Sequence, residues 1–315
     1  MVCFIILFRS MVYCTCPEDT VLWFGETCKP INDAVLEATA FLQENMPSFD
    51  KANNETLFNG GIVIPTVNIS LLARNTYIWA AKVPKDIFYD YVLPYASVNE
   101  ARTNWRQLIW DKLTPEVNKY LLSIDANVNN LFELIARFVN SKMWKLLAPK
   151  NVDSIAFKSS QTPLIYDPMS TMMFGYASCT GISILYIDAL RTLGIPARLV
   201  GTPAWNGNVT SGNHNWVEVW LGDDESAGWK FIEGMPAGGP GETFENPCDK
   251  WFCDNAHFNG YNTKVFAARF NHSEVYYPMA WDLKNVDIPG EDRSEYYQTH
   301  CENCSSNGPL IEIII

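Results

Sequence analysis

Apolar positions recur at helical spacing through the first half of the chain and alternate with polar ones through much of the second. Between Asn32 and roughly Lys150 the chain reads mainly helical. AVLEATAFLQENM is amphipathic and is followed by Pro47, and VNNLFELIARFVNSKMWKLL sets Leu131, Leu134, Ile135, Phe138, Val139, Met143 and Leu146 at helical spacing. From Asn151 to Phe174 the signals turn to loop and strand, with Pro163 and Pro168 as breakers. A further helix is predicted from about Cys179 to Leu193, because Ile182, Leu185, Tyr186, Ala189, Leu190 and Leu193 share a face and Gly194 and Pro196 supply a stop. ARLVGTPAW reads as a strand. In SGNHNWVEVWL, His214, Trp216, Glu218 and Trp220 alternate with Asn215, Val217, Val219 and Leu221, which predicts another. After the loop Gly222 to Gly228, Trp229, Phe231 and Glu233 share one face of a strand that closes a hairpin. YNTKVFAARF and SEVYYPMAW read as closing strands of an antiparallel sheet, and the chain beyond Asp287 as a polar, weakly ordered tail.

This order predicts an α+β protein with four parts: a weak signal segment at 1–16, a helical N-terminal extension at 17–150, a core at 151–290 and the tail at 291–315. The 315 residues allow a sizeable core, and 48% apolar residues with 11 Trp, 14 Tyr and 17 Phe describe a folded, aromatic-rich chain. The apolar run Val2 to Phe8 is too short to span a bilayer and is followed by Arg9, so no transmembrane segment is expected. A net charge of −12, from 23 basic and 35 acidic residues, argues against nucleic acid or an anionic membrane surface as partner.

Candidate chemistry gathers between Gly175 and Gly234. Cys179 opens its helix, where unpaired backbone N–H groups favour negative charge, lower a thiol pKa and offer a donor to an oxyanion. His214, 35 positions later, is the candidate base. Glu233 is the candidate carboxylate, although symmetric pairing about the loop sets it opposite Val217, roughly 10 Å along the strand from His214 at about 3.3 Å per residue. A bulge or a register shift is therefore required. Glu218 is a poorer candidate, roughly 13 Å along the same strand by the same arithmetic. Gln161 lies in the loop upstream of the cysteine, with an exposed loop amide the favoured reading. Trp205 and Trp216 are read as core in preference to cleft walls. Glu100 and Arg102 are read as a surface or loop-anchoring pair, and His257, His272 and His300 as surface residues.

The helix-opening cysteine, the LGIPAR turn, HNWVEVW and the strand that begins with Trp and carries an acid four residues later resemble the transglutaminase-like superfamily. The resemblance is strongest over 175–234 and looser over the rest of 85–297. It implies a papain-like core, a helix bearing the nucleophile on an antiparallel sheet. It further implies Cys179 as nucleophile, His214 as base and acid, position 233 as the third member, where the family usually has Asp, and a second oxyanion donor upstream of the cysteine, a place for which Gln161 is available. The implied activity is thiol-dependent acyl transfer on a glutamine side chain or a peptide amide, with a protein or peptide as substrate and no cofactor. No calcium-loop pattern is evident, which tilts the expectation towards hydrolysis over cross-linking. The rival is a catalytically inactive binding module on the same fold; a third reading, a structural secreted module, needs Cys179 in a disulfide. Oligomeric state is left open.

Nine cysteines, with Cys14, Cys16 and Cys28 early, Cys248 and Cys253 around DKWF, and Cys301 and Cys304 near the end, favour disulfides and a secreted protein. Sequons at Asn54, Asn68, Asn208, Asn271 and Asn303 point the same way. Zinc on Cys248, Cys253 and His257, or on His300, Cys301 and Cys304, is the lesser alternative, so no metal is expected.

Overall fold

The computed structural model describes residues 16–24, 27–59, 61–124, 130–160, 164, 166–222, 228–239 and 241–305. Val2 to Phe8, Cys14 and Gln161 lie outside the described residues. A short antiparallel pair, β1 (Thr20–Leu22) and β2 (Cys28–Pro30), leads into the helices α1 (Ile31–Asn45), α2 (Ser48–Lys51), α3 (Asn54–Asn59), α4 (Val63–Thr76), α5 (Ile78–Ala81), α6 (Lys85–Tyr91), α7 (Arg106–Ser123) and α8 (Leu131–Leu146). There follow β3 (Ala156–Phe157), α9 (Pro168–Phe174), β4 (Tyr176–Ala177), α10 (Cys179–Thr192), β5 (Ala197–Thr202), β6 (His214–Trp220), β7 (Trp229–Ile232), β8 (Phe266–Ala268), β9 (Gly290–Asp292) and α11 (Ser294–Cys301). The main sheet runs in the order β7-β6-β5-β8-β9 and is antiparallel throughout. The fold is thus the expected α+β arrangement.

Helix α10 is the axis of the molecule. Every residue from Thr180 to Thr192 is buried, and only Cys179, at its first position, reaches solvent. A helix apolar on most of its circumference must be covered on all sides. Here α4, α7 and α8 cover it on one side and β5 and β6 on the other. Its end is fixed by Gly194 in the left-handed region, φ 75°, where a Cβ would meet that of Ala80 at 2.3 Å. Trp79 Nε1 donates to the Leu193 carbonyl at 2.8 Å, so α5 is tied to the same turn. Two buried arginines join the helical half to this axis. Arg191 donates to the carbonyls of Tyr91, Ala96 and Ala197, and Arg106 to those of Val92, Pro94 and Arg191.

The strands alternate between two cores. Leu199, Val217, Val219 and Ile232 join the core around α10, while Val200, Trp216, Phe231 and Ala267 pack with Phe252, Phe258 and Tyr297. Trp205 and Trp216 are core residues, as the sequence suggests. The end of the chain differs from expectation. Beyond Asp287 it forms β9 and α11, whose Tyr297 and Cys301 are fully buried, because the second face of the sheet needs a cover. SEVYYPMAW is not a strand; its pairing is confined to the bridges Tyr276 to Pro289 and Met279 to Asp282. Glu100 and Arg102 anchor a loop: Glu100 accepts from the N–H groups of Ser97 and Val98, and Arg102 pairs with buried Asp50 at 3.0 Å.

Disulfides join Cys16 to Cys28, Cys248 to Cys304 and Cys253 to Cys301, which removes those cysteines from any zinc site. The last two stitch the segment around Trp251 to the end of α11. Alkylation of the denatured, unreduced protein should label Cys179 and none of these six, as read by peptide mapping. Replacing Cys253 and Cys301 together by Ala should cost about 2–4 kcal/mol of stability, measured by denaturant unfolding.

Candidate active site

Ser178 precedes α10 with an extended backbone, and its hydroxyl makes no capping bond. The first N–H groups of the helix are therefore not claimed by a side-chain cap and face the same region as the Cys179 thiol. His214 begins β6, buried and walled by the rings of Trp251 at 4.8 Å, Phe252 at 5.3 Å and Trp216 at 5.8 Å between centroids. Burial raises the Cys179 thiol pKa, but a hydrogen bond and charge from His214, together with the Asn215 backbone N–H, outweigh it. The thiol is held below its ordinary value.

Glu233 reaches His214 through a one-residue change of register. Val217 pairs with Ile232, so the ladder places position 233 beside Trp216, on the face that carries His214. The symmetric register would have turned it to the opposite face. Glu233 Oε1 hydrogen-bonds His214 Nε2, which leaves Nδ1 of the imidazole for Cys179. The structure thus brings Cys179, His214 and Glu233 together in series. Glu218 is excluded from the group: it is fully buried between Arg198 at 2.7 Å and Arg293 at 3.1 Å and accepts from Tyr297 at 2.9 Å. Among the described residues no cluster suits a metal ion. A cavity of about 780 Å³ lies away from this group, over Tyr89, Arg198, Trp229 and Arg269.

Residues 135–233 match the family model of the transglutaminase-like superfamily. This core is similar to that superfamily. Among solved structures, a cysteine protease-like protein of Cytophaga hutchinsonii aligns at 17% identity over 49% of this chain and 44% of its own, with a TM-score of 0.31. Red sea bream transglutaminase aligns at 14% identity over 51% of this chain and 30% of its own, with a TM-score of 0.28. LapG of Legionella pneumophila aligns at 9% identity over 66% of this chain and 86% of its own, with a TM-score of 0.27. The chain spans less than half the length of the first two. No curated protein matches it.

The transglutaminase-like core holds its acid with residues the sequence did not flag. Asn140 on α8 donates to the Glu233 carbonyl at 2.9 Å and accepts from the Met235 N–H at 2.8 Å, while Trp144 Nε1 donates to Asn140 at 3.1 Å. From the other side, Glu242 accepts from the N–H groups of Glu233 at 3.1 Å and Gly239 at 2.8 Å. Beneath them lies Lys250, buried with its ammonium on Asp249 at 2.7 Å and on the carbonyls of Thr243 and Asn246. His257 is half-buried, its side chain 24% exposed; its ring lies 4.5 Å from that of Trp205 and pairs with Asp254, three positions earlier, at 2.8 Å. Nothing short of the folded loop would have shown these contacts, although the spacing of Glu242 nine residues after Glu233 is a weak signal.

Burial drives the Glu233 carboxyl well above its ordinary range, with Trp251 and Lys250 pulling the other way. Glu242 is pushed up to about 7, first by burial and next by the neighbouring Glu233. A carboxyl whose folded pKa is raised binds its proton more tightly folded than unfolded. Its contribution is fully present below the unfolded value near 4.5 and is lost as pH rises through about 7. In Glu242→Gln the fall in melting temperature between about pH 4.5 and 7 should shrink relative to wild type, read by thermal unfolding across that range. An unchanged slope would remove Glu242 from the account.

Proposed function

We propose that the chain is an enzyme of thiol-dependent acyl transfer, with Cys179 as nucleophile, His214 as general base and acid, and Glu233 as the carboxylate that orients the imidazole. The observation that carries this reading is the His214 to Glu233 contact, beside a thiol held low by His214. The superfamily match supports the class of chemistry. A binding module has no use for a register change that aims a buried acid at a histidine. The structural-module reading requires Cys179 in a disulfide, and Cys179 is free.

The chemistry follows from the arrangement. His214 takes the thiol proton, and the thiolate attacks the carbonyl of a glutamine carboxamide or a peptide bond. The carbonyl oxygen gains negative charge and accepts hydrogen bonds from the first N–H groups of α10. The C–N bond breaks as His214 returns the proton to the leaving ammonia or amine, leaving a Cys179 thioester. Water or a primary amine then gives its proton to His214, attacks the thioester carbon and expels the thiolate. Glu233 stabilises the imidazolium at both stages, and the positive ring in turn offsets the cost of a buried carboxylate. The substrate is a protein or peptide; water as acceptor gives a hydrolase and lysine a cross-linker. Three disulfides suit an extracellular or periplasmic location, the compartments where such bonds persist.

The rate of Cys179 alkylation against pH tests the pair directly. The wild-type thiol should react fully near pH 6, and His214→Ala only above about pH 8.5, the range of an ordinary cysteine. Equal profiles for the two proteins would dissolve the proposed pair. Cys179→Ala should abolish both ammonia release from glutamine peptides and cleavage of an unfolded protein substrate, whichever the wild type shows.

A further inference from the structure

Asn215 follows His214 on β6 and is the most fully engaged polar residue beside the thiol. A hydrogen bond from its backbone N–H is among the causes that hold the Cys179 thiol below its ordinary value. Its carbonyl accepts from Ser183 Oγ at 3.2 Å, its side-chain Nδ2 donates to Thr180 Oγ1 at 2.9 Å, and its Oδ1 accepts from the Tyr277 hydroxyl. All four of its hydrogen-bonding groups are thus committed, three of them to the start of α10 at Cys179, Thr180 and Ser183. The chain makes room for this with a glycine in mid-strand. Gly201 pairs with Asn215 across the sheet, and a Cβ there would lie 2.3 Å from Asn215 Oδ1 and 2.9 Å from the Tyr277 hydroxyl.

We propose that Asn215, held by Tyr277 and Thr180, is a positioning residue that aims its backbone N–H at the Cys179 sulfur and so stabilises the reactive thiolate. The proposal rests on the thiol-enzyme reading above. Tyr277 is itself immobile: its N–H donates to the Ile288 carbonyl at 2.9 Å, and its carbonyl accepts from Asn285 Nδ2 at 2.8 Å. Burial, and then the charge on Cys179, keep its phenol protonated, so the hydroxyl remains a donor to Oδ1 at any working pH. With Oδ1 occupied in this way, the amide is oriented with Nδ2 towards Thr180, and the peptide plane of Asn215 is fixed between helix and strand. A thiolate in this half-buried place gains from a fixed N–H in a way that it would not from a mobile one, since hydrogen bonds to charged groups exceed those to neutral ones.

Tyr277→Phe removes only the hydroxyl, and Thr180→Val only the acceptor; each releases one of the two side-chain ties that fix the Asn215 peptide. The readout is the midpoint of Cys179 alkylation against pH, with thermal unfolding as a control on the fold. Each variant should raise the midpoint by about one pH unit, a roughly tenfold loss of thiolate at pH values well below the wild-type midpoint, while still unfolding cooperatively. Should Tyr277→Phe not fold, Thr180→Val carries the same readout. A low wild-type midpoint that neither substitution moves overturns the proposal and leaves the Cys179 to His214 pair intact. A wild-type midpoint no lower than that of His214→Ala overturns both, and the two failures are thereby distinct.

Discussion

A helix buried from its second residue to its last imposes one demand on everything around it, and this fold is the response. Each large apolar side chain of α10 removed from water contributes about 1.5–3 kcal/mol, so Ile182, Ile184, Leu185, Tyr186, Ile187 and Leu190 together make this helix the best-anchored element of the chain. The cost is a set of polar groups that must be satisfied away from water. Arg191 and Arg106 answer it with bonds to the carbonyls of the segment between α6 and α7. The helical first half is therefore a structural part of the core and not a separate body resting on it. Cys179 inherits rigidity from this packing while remaining the one residue of the helix that reaches solvent.

The sheet meets the same demand from the other side and adds the second reactive group. Because β6 alternates, the face that packs on α10 carries Asn215, Val217 and Val219, while His214, Trp216 and Glu218 turn to the other. The thiol at the helix end must therefore meet the histidine at the end of the sheet. That second face is buried too, and its cover is the segment stitched by two disulfides to α11. Trp251 and Phe252 from this segment close over His214, so the imidazole sits among rings that exclude water from its contact with Glu233. In such surroundings the charged and neutral forms of the acid differ greatly in energy, and a proton gained by His214 has a large effect on its partner.

Much of this was legible in the chain. The period of 3.6 around Leu185 and the stop at Gly194 give α10 to within a residue, and the alternation from His214 gives β6 with its reactive end. What was not legible depends on contacts far apart in sequence. Sequence symmetry about the 222–228 loop assigns Glu233 to the wrong face, because a hairpin's register is set by its turn and by which side chains the two cores accept, and neither is encoded in the spacing of the acids. Asn140 lies in a helix whose periodicity signals only packing, yet it bonds to both ends of the turn at Gly234. The closing segments were misread for a related reason. The aromatic run at Tyr276 and Tyr277 alternates like a strand, but Tyr277 is turned inward to serve Asn215, and the strand that completes the sheet is the short β9 beyond it.

A glutamate at position 233 is intelligible from this geometry. Glu233 lies one residue past the end of β7, level with Trp216 and not with His214, and a longer side chain spans the interval that the register leaves. The extra methylene also carries rotamer freedom, which has to be removed if the carboxylate is to orient an imidazole. The backbone around it is held accordingly: Asn140 fixes the Glu233 carbonyl, Glu242 its N–H, and Gly234 packs so closely on Ile182 and Trp144 that a Cβ would lie 2.6 Å from the first. The acid is thus tied through its own main chain to α8, to α10 and to the following loop. A shorter Asp on the same backbone would keep these ties and lose its reach, so the identity of residue 233 and the register of β7 are one choice made together.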